Sequence, residues 1–139
     1  MADNDRVDGA ELARQFLDHS PFGRLVEFDA LELEPDRARL TLPFKEAIAT
    51  AGNVVHGGAI SSLIDTAATL AAWSAEFDEM PQRWGTASMT VNFMRPAKGA
   101  DLVADARVTR RGASLCFCEI EVRAEDKFVA SGLVTYNLA

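Results

Sequence analysis

The sequence predicts an α+β fold, a curved antiparallel sheet wrapped around one long central helix. The stretch from about 58 to 75 is apolar on almost every side, which is typical of a buried helix. Four strand-like segments fill the last third, and the short turns between them favour antiparallel pairing. Two further strand-like segments precede the helix. This order predicts one domain over residues 1–139, with a layered α+β architecture.

Length and charge narrow the class of protein. A chain of 139 residues that is 48% hydrophobic is suited to one domain with a sizeable core. The net charge of −7 argues against nucleic-acid binding, which requires a basic face. The chain contains no apolar run of membrane-spanning length, and Met1 to Asp8 is polar. We therefore expect a cytoplasmic protein without nucleic-acid or membrane partners.

The individual elements follow from periodicity and turn residues. An N-terminal helical segment, 1–22, contains a helix from about Asp8 to Asp18 and ends at Ser20-Pro21. Residues 43–53 are predicted to be irregular. The predicted strands are 25–33 and 37–42 before the central helix, then 85–95, 101–110, 114–123 and 128–137 after it.

Two cysteines, Cys116 and Cys118, lie two residues apart in one predicted strand. Neighbours along a single strand rarely form a disulfide. No further Cys or His is close enough in sequence to complete a metal site. We predict reduced, buried thiols and no metal.

The most informative segment is His56-Gly57-Gly58 at the start of the central helix. Two glycines allow another molecule to approach the backbone closely. The free N–H groups of the first helical turn then face that molecule, together with the positive end of the helix dipole. This arrangement suits a negative charge developing on a carbonyl oxygen, although a tight turn before the helix is an alternative.

Asp65 is the only ionisable residue of the central helix before Glu76. A buried, unpaired carboxylate costs several kcal/mol or shifts its pKa, and folding gains nothing evident from it. A catalytic role is therefore favoured, although a structural aspartate bonded to a hydroxyl or backbone partner is an alternative.

The spacing of Gly57 and Asp65 predicts a dimer. Eight residues along one helix correspond to about 12 Å, too far for both groups to act on one carbonyl carbon. Two antiparallel copies of the helix could bring Gly57 of one chain opposite Asp65 of the other. The chemistry then requires two equivalent sites across a two-fold axis.

His56 is the rival catalytic residue. It could position the backbone or the substrate, or it could act directly as an acid or base. The chain has no Gly-x-Ser-x-Gly elbow and no Walker or dinucleotide-binding glycine pattern. These absences argue against a serine hydrolase and against a nucleotide-binding enzyme.

His56-Gly57-Gly58 followed by Asp65, with small residues along the helix, resembles the hot-dog-fold thioesterases of the phenylacetic-acid-degradation type. The resemblance covers most of the chain and includes the stretch 93–97 and the turn 110–112. It implies an acyl-CoA thioesterase that needs no cofactor, since CoA is part of the substrate. It also implies a homodimer or dimer of dimers, with Asp65 as base or nucleophile and the amides of Gly57 and Gly58 on the carbonyl.

Further site residues follow from the same resemblance. Many members carry Asn six residues before the His, where this chain has Thr50; Asn53 lies only three before it. A hydroxyl that holds the catalytic water is placed at Thr86, with Ser88 as second choice. Candidates for binding CoA phosphates are Arg95, Arg110 and Arg111, with Ser114 as a possible hydroxyl contact.

Two other functions stay open at this stage. One is a non-catalytic acyl-CoA-binding or regulatory protein of the same fold, which Thr50 in place of Asn would suit. The other is a hot-dog dehydratase acting on hydroxyacyl thioesters, which would need a His with an acidic partner across the site. The Gly-Gly arrangement matches thioesterases better.

Overall fold

The computed structural model describes residues 5–139, so the first four residues of the predicted segment 1–22 lie outside it. Along the chain the elements are β1 Val7–Asp8, α1 Gly9–His19, α2 Pro21–Val26, β2 Asp29–Glu34, β3 Arg37–Leu42, a 3-10 turn Glu46–Ile48, β4 Ala49–Ala51, β5 Val54–Val55, α3 Gly57–Trp73, β6 Glu76–Phe77, β7 Trp84–Phe93, β8 Leu102–Arg111, β9 Leu115–Ala124 and β10 Lys127–Leu138.

Six strands form one antiparallel sheet in the order β2-β3-β8-β9-β10-β7. The four strands predicted after the central helix are confirmed, each within three residues of its observed bounds. Alternate residues of β8, β9 and β10 face α3 and are buried, whereas the intervening residues face outward. The predicted α+β fold with a sheet around one helix is confirmed.

The central helix α3 packs against this sheet through one face only. Its buried residues recur at helical spacing: Ile60, Leu63, Ile64, Ala67, Ala68, Leu70, Ala71 and Ala72. Gly132 of β10 lies so close that an added Cβ would be 2.6 Å from Ile64 Cγ2. The opposite face leaves Ser62, Asp65, Thr66 and Thr69 half-exposed. Our expectation of burial on all sides was wrong for the single chain, because the sheet covers only one side of the helix.

The N-terminal region is more helical than predicted. Helix α1 begins where expected, because the Asp8 carboxylate accepts a hydrogen bond from Glu11 N–H and caps it. Ser20-Pro21 ends α1 but also starts α2, since the Ser20 hydroxyl accepts from Gly23 N–H at 3.1 Å. The predicted strand 25–33 was therefore wrong at its start, and the observed strand begins at Asp29.

Strand β7 is an edge of the sheet, with β10 as its one strand partner in residues 5–139. All its residues are exposed or half-exposed, and they include Trp84, Met89 and Phe93. An apolar edge strand of ten residues is a template for pairing with another chain. None of the helices in the described part of the chain is long and apolar enough to cross a membrane.

Candidate active site

The carboxylate of Asp65 lies on the half-exposed face of α3, where β7 passes it. The Thr86 hydroxyl donates a hydrogen bond of 2.6 Å to Asp65 Oδ1. The distance is at the short end of the range for a hydrogen bond between two oxygen atoms. The structure thus brings together two of the predicted site residues, and their hydrogen bond fixes the orientation of the carboxylate.

A bulge in β7 separates Thr86 from Ser88. Thr86 lies opposite Tyr136 of β10, whereas Ser88 lies opposite Thr135, so Ala87 is the extra residue. Tyr136 is buried beneath the sheet and Thr135 faces outward. The second choice for the hydroxyl position, Ser88, is therefore on the outer face and not beside Asp65.

His56 caps the N-terminus of α3 with its imidazole. Nδ1 accepts a 2.8 Å hydrogen bond from the Gly58 N–H. Nδ1 must keep its lone pair for this bond, so Nε2 carries the proton in the neutral ring. An added Cβ at Gly58 would lie 2.8 Å from the same Nδ1, so the cap itself requires glycine there. This geometry supports the positioning role of His56 and occupies the Gly58 amide.

The neighbouring Gly57 N–H has no protein acceptor among residues 5–139. As the first residue of α3 it has no acceptor within the helix, and the helix dipole adds positive potential there. An added Cβ at Gly57 would meet only the Phe93 ring, at an ordinary contact distance of 3.5 Å. Folding of this chain therefore does not require glycine at position 57, whereas close approach of a ligand would.

A cavity of about 420 Å³ opens beside this amide. Gly57 and Ile60 form one wall, and Phe93, Met94 and Arg95, at the end of β7, form another. Thr50, which stands where the resemblance places Asn, also lines it and is exposed. Two sequence-predicted residues, Thr50 and Arg95, thus share a cavity with the free N–H donor.

The other predicted CoA-binding residues lie elsewhere in the single chain. Arg111 is at the far end of α3, about 22 Å from Gly57 along the helix, where it donates to Ala72 O (2.9 Å) and to Asp36 (2.7 Å). Arg110 and Ser114 are exposed beside it. Asn53 is an exposed turn residue whose carbonyl accepts from Gly99 N–H. A CoA contact for each of these residues stays a prediction.

Sequence reasoning missed two polar residues close to Asp65. Thr69, one turn further along α3, donates to the Asp65 carbonyl at 3.0 Å. Tyr136 accepts a hydrogen bond from Trp73 Nε1 at 3.1 Å, and burial raises the pKa of its phenol. The position of Thr69 could have been predicted from its spacing to Asp65, since residues four apart share a helix face. Tyr136 comes from a distant strand, so no local pattern reveals it.

The two cysteines are free and buried on the inner face of β9, as predicted. Burial raises the pKa of Cys116 and raises that of Cys118 to about 12. Both side chains are therefore neutral thiols at physiological pH, and neither lies beside Asp65.

Comparison with known proteins places this geometry in context. Residues 52–130 match the family model described as the thioesterase superfamily. The medium/long-chain acyl-CoA thioesterase YigI of Salmonella typhimurium is 30% identical over 142 aligned positions, which cover 90% of each chain. YigI of Escherichia coli is 28% identical over 141 positions, again 90% of each chain.

Solved structures show the same architecture. A thioesterase family protein from Silicibacter pomeroyi superposes with a TM-score of 0.87 at 25% identity, over 94% of this chain and 97% of that one. The E. coli PaaI protein from the phenylacetic acid degradation operon superposes with a TM-score of 0.83 at 22% identity, over 94% of both chains. The second likeness shows the shared fold alone.

Proposed function

This chain belongs to the thioesterase superfamily and has its hot-dog fold, and on that premise we propose that it hydrolyses the thioester of an acyl-CoA to the free acid and CoA. The observation that carries the proposal is the hydrogen bond of 2.6 Å from Thr86 to Asp65 on the half-exposed face of α3. It supports an oriented carboxylate that a substrate can reach. The acyl-CoA thioesterases named YigI support the substrate class.

Asp65 has one oxygen held by Thr86 and a second, Oδ2, available for chemistry. In the general-base version, Oδ2 takes a proton from water as the water oxygen attacks the thioester carbon. In the nucleophilic version, Oδ2 attacks the carbon itself, and water later hydrolyses the anhydride. Both versions need an ionised carboxylate at the same place.

The tetrahedral intermediate carries its negative charge on the former carbonyl oxygen. The free Gly57 N–H at the positive end of α3 is suited to stabilise that charge. When the intermediate collapses, the carbon–sulfur bond breaks and CoA leaves as a thiolate that takes up the proton. His56 contributes by holding the first turn of α3, through its bond to Gly58.

Gly57 and Asp65 of one chain are about 12 Å apart along α3 and cannot reach one carbonyl together. We therefore place the Gly57 of one subunit opposite the Asp65 of its partner in a homodimer with antiparallel central helices. The apolar edge strand β7 and the half-exposed face of α3 support this arrangement, because the described residues 5–139 leave both of them exposed or half-exposed.

A non-catalytic acyl-CoA-binding protein is the second candidate function. Thr50 favours it, because a threonine has one hydroxyl where an asparagine amide would supply two N–H donors. A dehydratase is less well supported, because Nδ1 of His56 is occupied by the Gly58 N–H of its own helix.

The test is hydrolysis of a panel of acyl-CoAs, followed with a thiol reagent. Asp65→Asn should lower kcat at least about a hundredfold, because it removes the base or nucleophile. Asp126→Asn is the matched control, because it makes the same change in the β9–β10 turn. That turn is about ten residues of strand, or roughly 33 Å, from Tyr136, which lies opposite Thr86 beside the proposed site. Asp126 has a φ of 66°, a conformation that asparagine also adopts, so this variant should keep its fold and activity.

Near-normal turnover in Asp65→Asn would remove Asp65 from the mechanism. A wild-type protein that binds acyl-CoA without releasing thiol would favour the binding protein. Release of an enoyl product from a hydroxyacyl-CoA would favour the dehydratase.

A further inference from the structure

A second cavity, of about 330 Å³, lies between α1 and the C-terminal half of α3. Its walls are mostly apolar and aromatic: Leu12, Phe16, Trp73, Met80, Trp84 and Tyr136. The Tyr136 hydroxyl in its floor accepts a hydrogen bond from Trp73 Nε1. The cavity therefore suits an apolar guest, since apolar and aromatic side chains make up most of its wall.

This cavity begins beside the carboxylate of the proposed site. Thr69 lines it and lies one helical turn, about 6 Å, beyond Asp65 on the same face of α3. On the sheet side, Tyr136 and Trp84 flank Thr86, the residue that holds the carboxylate. A group attached to a carbonyl carbon at Asp65 would therefore enter the cavity directly.

The outer wall is a fixed part of the fold. Helix α1 is held to the end of α3 by the hydrogen bond from Gly9 N–H to Ala75 O, at 2.9 Å. An added Cβ at Gly9 would lie 1.9 Å from Trp73 O, so the two backbones are in direct contact. Ala13 and Leu17 are buried beneath α1, whereas Phe16 faces the cavity and is 52% exposed. An apolar group in the cavity would cover that ring.

The volume sets the size of the guest. At about 30 Å³ per water-sized group, 330 Å³ accommodates roughly ten or eleven non-hydrogen atoms. We infer that this cavity is the acyl pocket and that it selects an apolar acyl group of about ten non-hydrogen atoms, medium-chain or aryl-acetyl, over acetyl and palmitoyl groups. The inference rests on the proposed thioesterase function for the identity of its ligand.

A rival apolar cavity of about 350 Å³ lies at the other end of α3, beneath α2. Phe22 and Leu25 line it, together with His56 and Ser62. It adjoins the capped Gly58 amide rather than Asp65. Phe22 is 48% exposed and so matches Phe16 in residue type and exposure, which makes it a matched control for the acyl-pocket inference.

Binding to a variant that does not turn over separates the pocket from catalysis. Calorimetric titration of Asp65→Asn with acetyl-, decanoyl-, phenylacetyl- and palmitoyl-CoA should show decanoyl- and phenylacetyl-CoA bound at least about tenfold more tightly than the other two. Adding Leu12→Trp, which fills the cavity, or Phe16→Ala, which removes a wall, should lower the preference for decanoyl over acetyl at least about fivefold. Adding Phe22→Ala should leave that preference unchanged.

Equal affinity for all four ligands would overturn the acyl-pocket inference. So would a preference that persists in both Leu12→Trp and Phe16→Ala, or one that Phe22→Ala abolishes. Phe16→Ala only removes atoms from an exposed side chain, so it stays informative if Leu12→Trp does not fold. Hydrolysis by the wild type is scored separately: turnover without chain-length preference overturns the pocket alone, and selective binding without turnover overturns only the proposed function.

Discussion

The two glycines that begin α3 are required for different physical reasons. At Gly58 the imidazole of His56 fills the space that a Cβ would need. At Gly57 a Cβ would make only an ordinary contact with Phe93, and the N–H has no protein acceptor in residues 5–139. We attribute the glycine at position 58 to the fold and the glycine at position 57 to the approach of a ligand.

This distinction predicts opposite outcomes for two similar substitutions. Gly57→Ala should leave the melting temperature close to wild type but lower kcat/KM, because the methyl group keeps the carbonyl from the amide. Gly58→Ala should lower the melting temperature, because it displaces the His56 cap, and loss of a cap costs about 1 kcal/mol. Thermal unfolding and acyl-CoA hydrolysis of both variants check this; a destabilised but fully active Gly57→Ala would contradict it.

Thr86 orients Asp65 through one hydrogen bond, so removing its hydroxyl should affect turnover. Thr86→Val should lower kcat about ten- to a hundredfold, since a hydrogen bond to a charged group contributes about 1.5–3 kcal/mol. Thr86→Ser keeps the hydroxyl and should restore most of the rate. Ser88→Ala, on the outer face, is the control and should leave kcat unchanged. A larger loss of kcat in Ser88→Ala than in Thr86→Val would show that Ser88, and not Thr86, orients Asp65.

At the scale of elements, β9 buries both cysteines against α3. Because burial raises both pKa values, that of Cys118 to about 12, we expect neither thiol to react with a disulfide reagent in the native protein at pH 8. Unfolding in guanidinium should release both, since an exposed thiol has a pKa of about 8.5. Counting reactive thiols before and after unfolding checks this. Rapid native labelling would show that β9 opens locally.

The strands after the central helix could be predicted because alternation and turns are local signals. Helix α2 was missed because Ser20-Pro21 is typical both of the end of one helix and of the start of another. Only the hydrogen bond from Gly23 N–H to the Ser20 hydroxyl shows that a second helix begins there. At the site, His56, Gly57, Gly58 and Asp65 stand out in the sequence. Their surroundings do not, because Thr86, Tyr136 and Phe16 reach Asp65 and its cavity from three separate elements.

At the scale of the molecule, residues 5–139 leave two features exposed or half-exposed on the side of Asp65. One is the apolar edge strand β7, and the other is the half-exposed face of α3 that carries Asp65 and Thr69. A two-fold partner that pairs β7 with its own copy would cover both. It would also bring the N-terminus of its α3 towards Asp65, which completes the proposed site.

A charge on β7 should therefore separate the subunits and stop catalysis together. Met89 is 39% exposed in the single chain, so Met89→Glu should be tolerated by the monomer but not by a packed interface. Sedimentation should show a monomer, and turnover should fall at least about a hundredfold. Leu133→Glu is the control, on the outer face of β10 and 60% exposed, and it should keep at least a dimer and its activity. A monomeric Met89→Glu with full activity would contradict the shared site.

The most direct test of a site shared between subunits is to mix two impaired variants, Asp65→Asn, which lacks the base or nucleophile, and Gly57→Ala, in which the methyl group keeps the carbonyl from the amide. Random exchange makes half of the dimers mixed, and one of the two sites in each mixed dimer combines an intact Gly57 with an intact Asp65. Hydrolysis of acyl-CoA should therefore recover to about a quarter of the wild-type rate after unfolding and refolding the two variants together. A mixture no more active than the two variants measured separately would contradict the account, because it would place Gly57 and Asp65 in the same site of one chain.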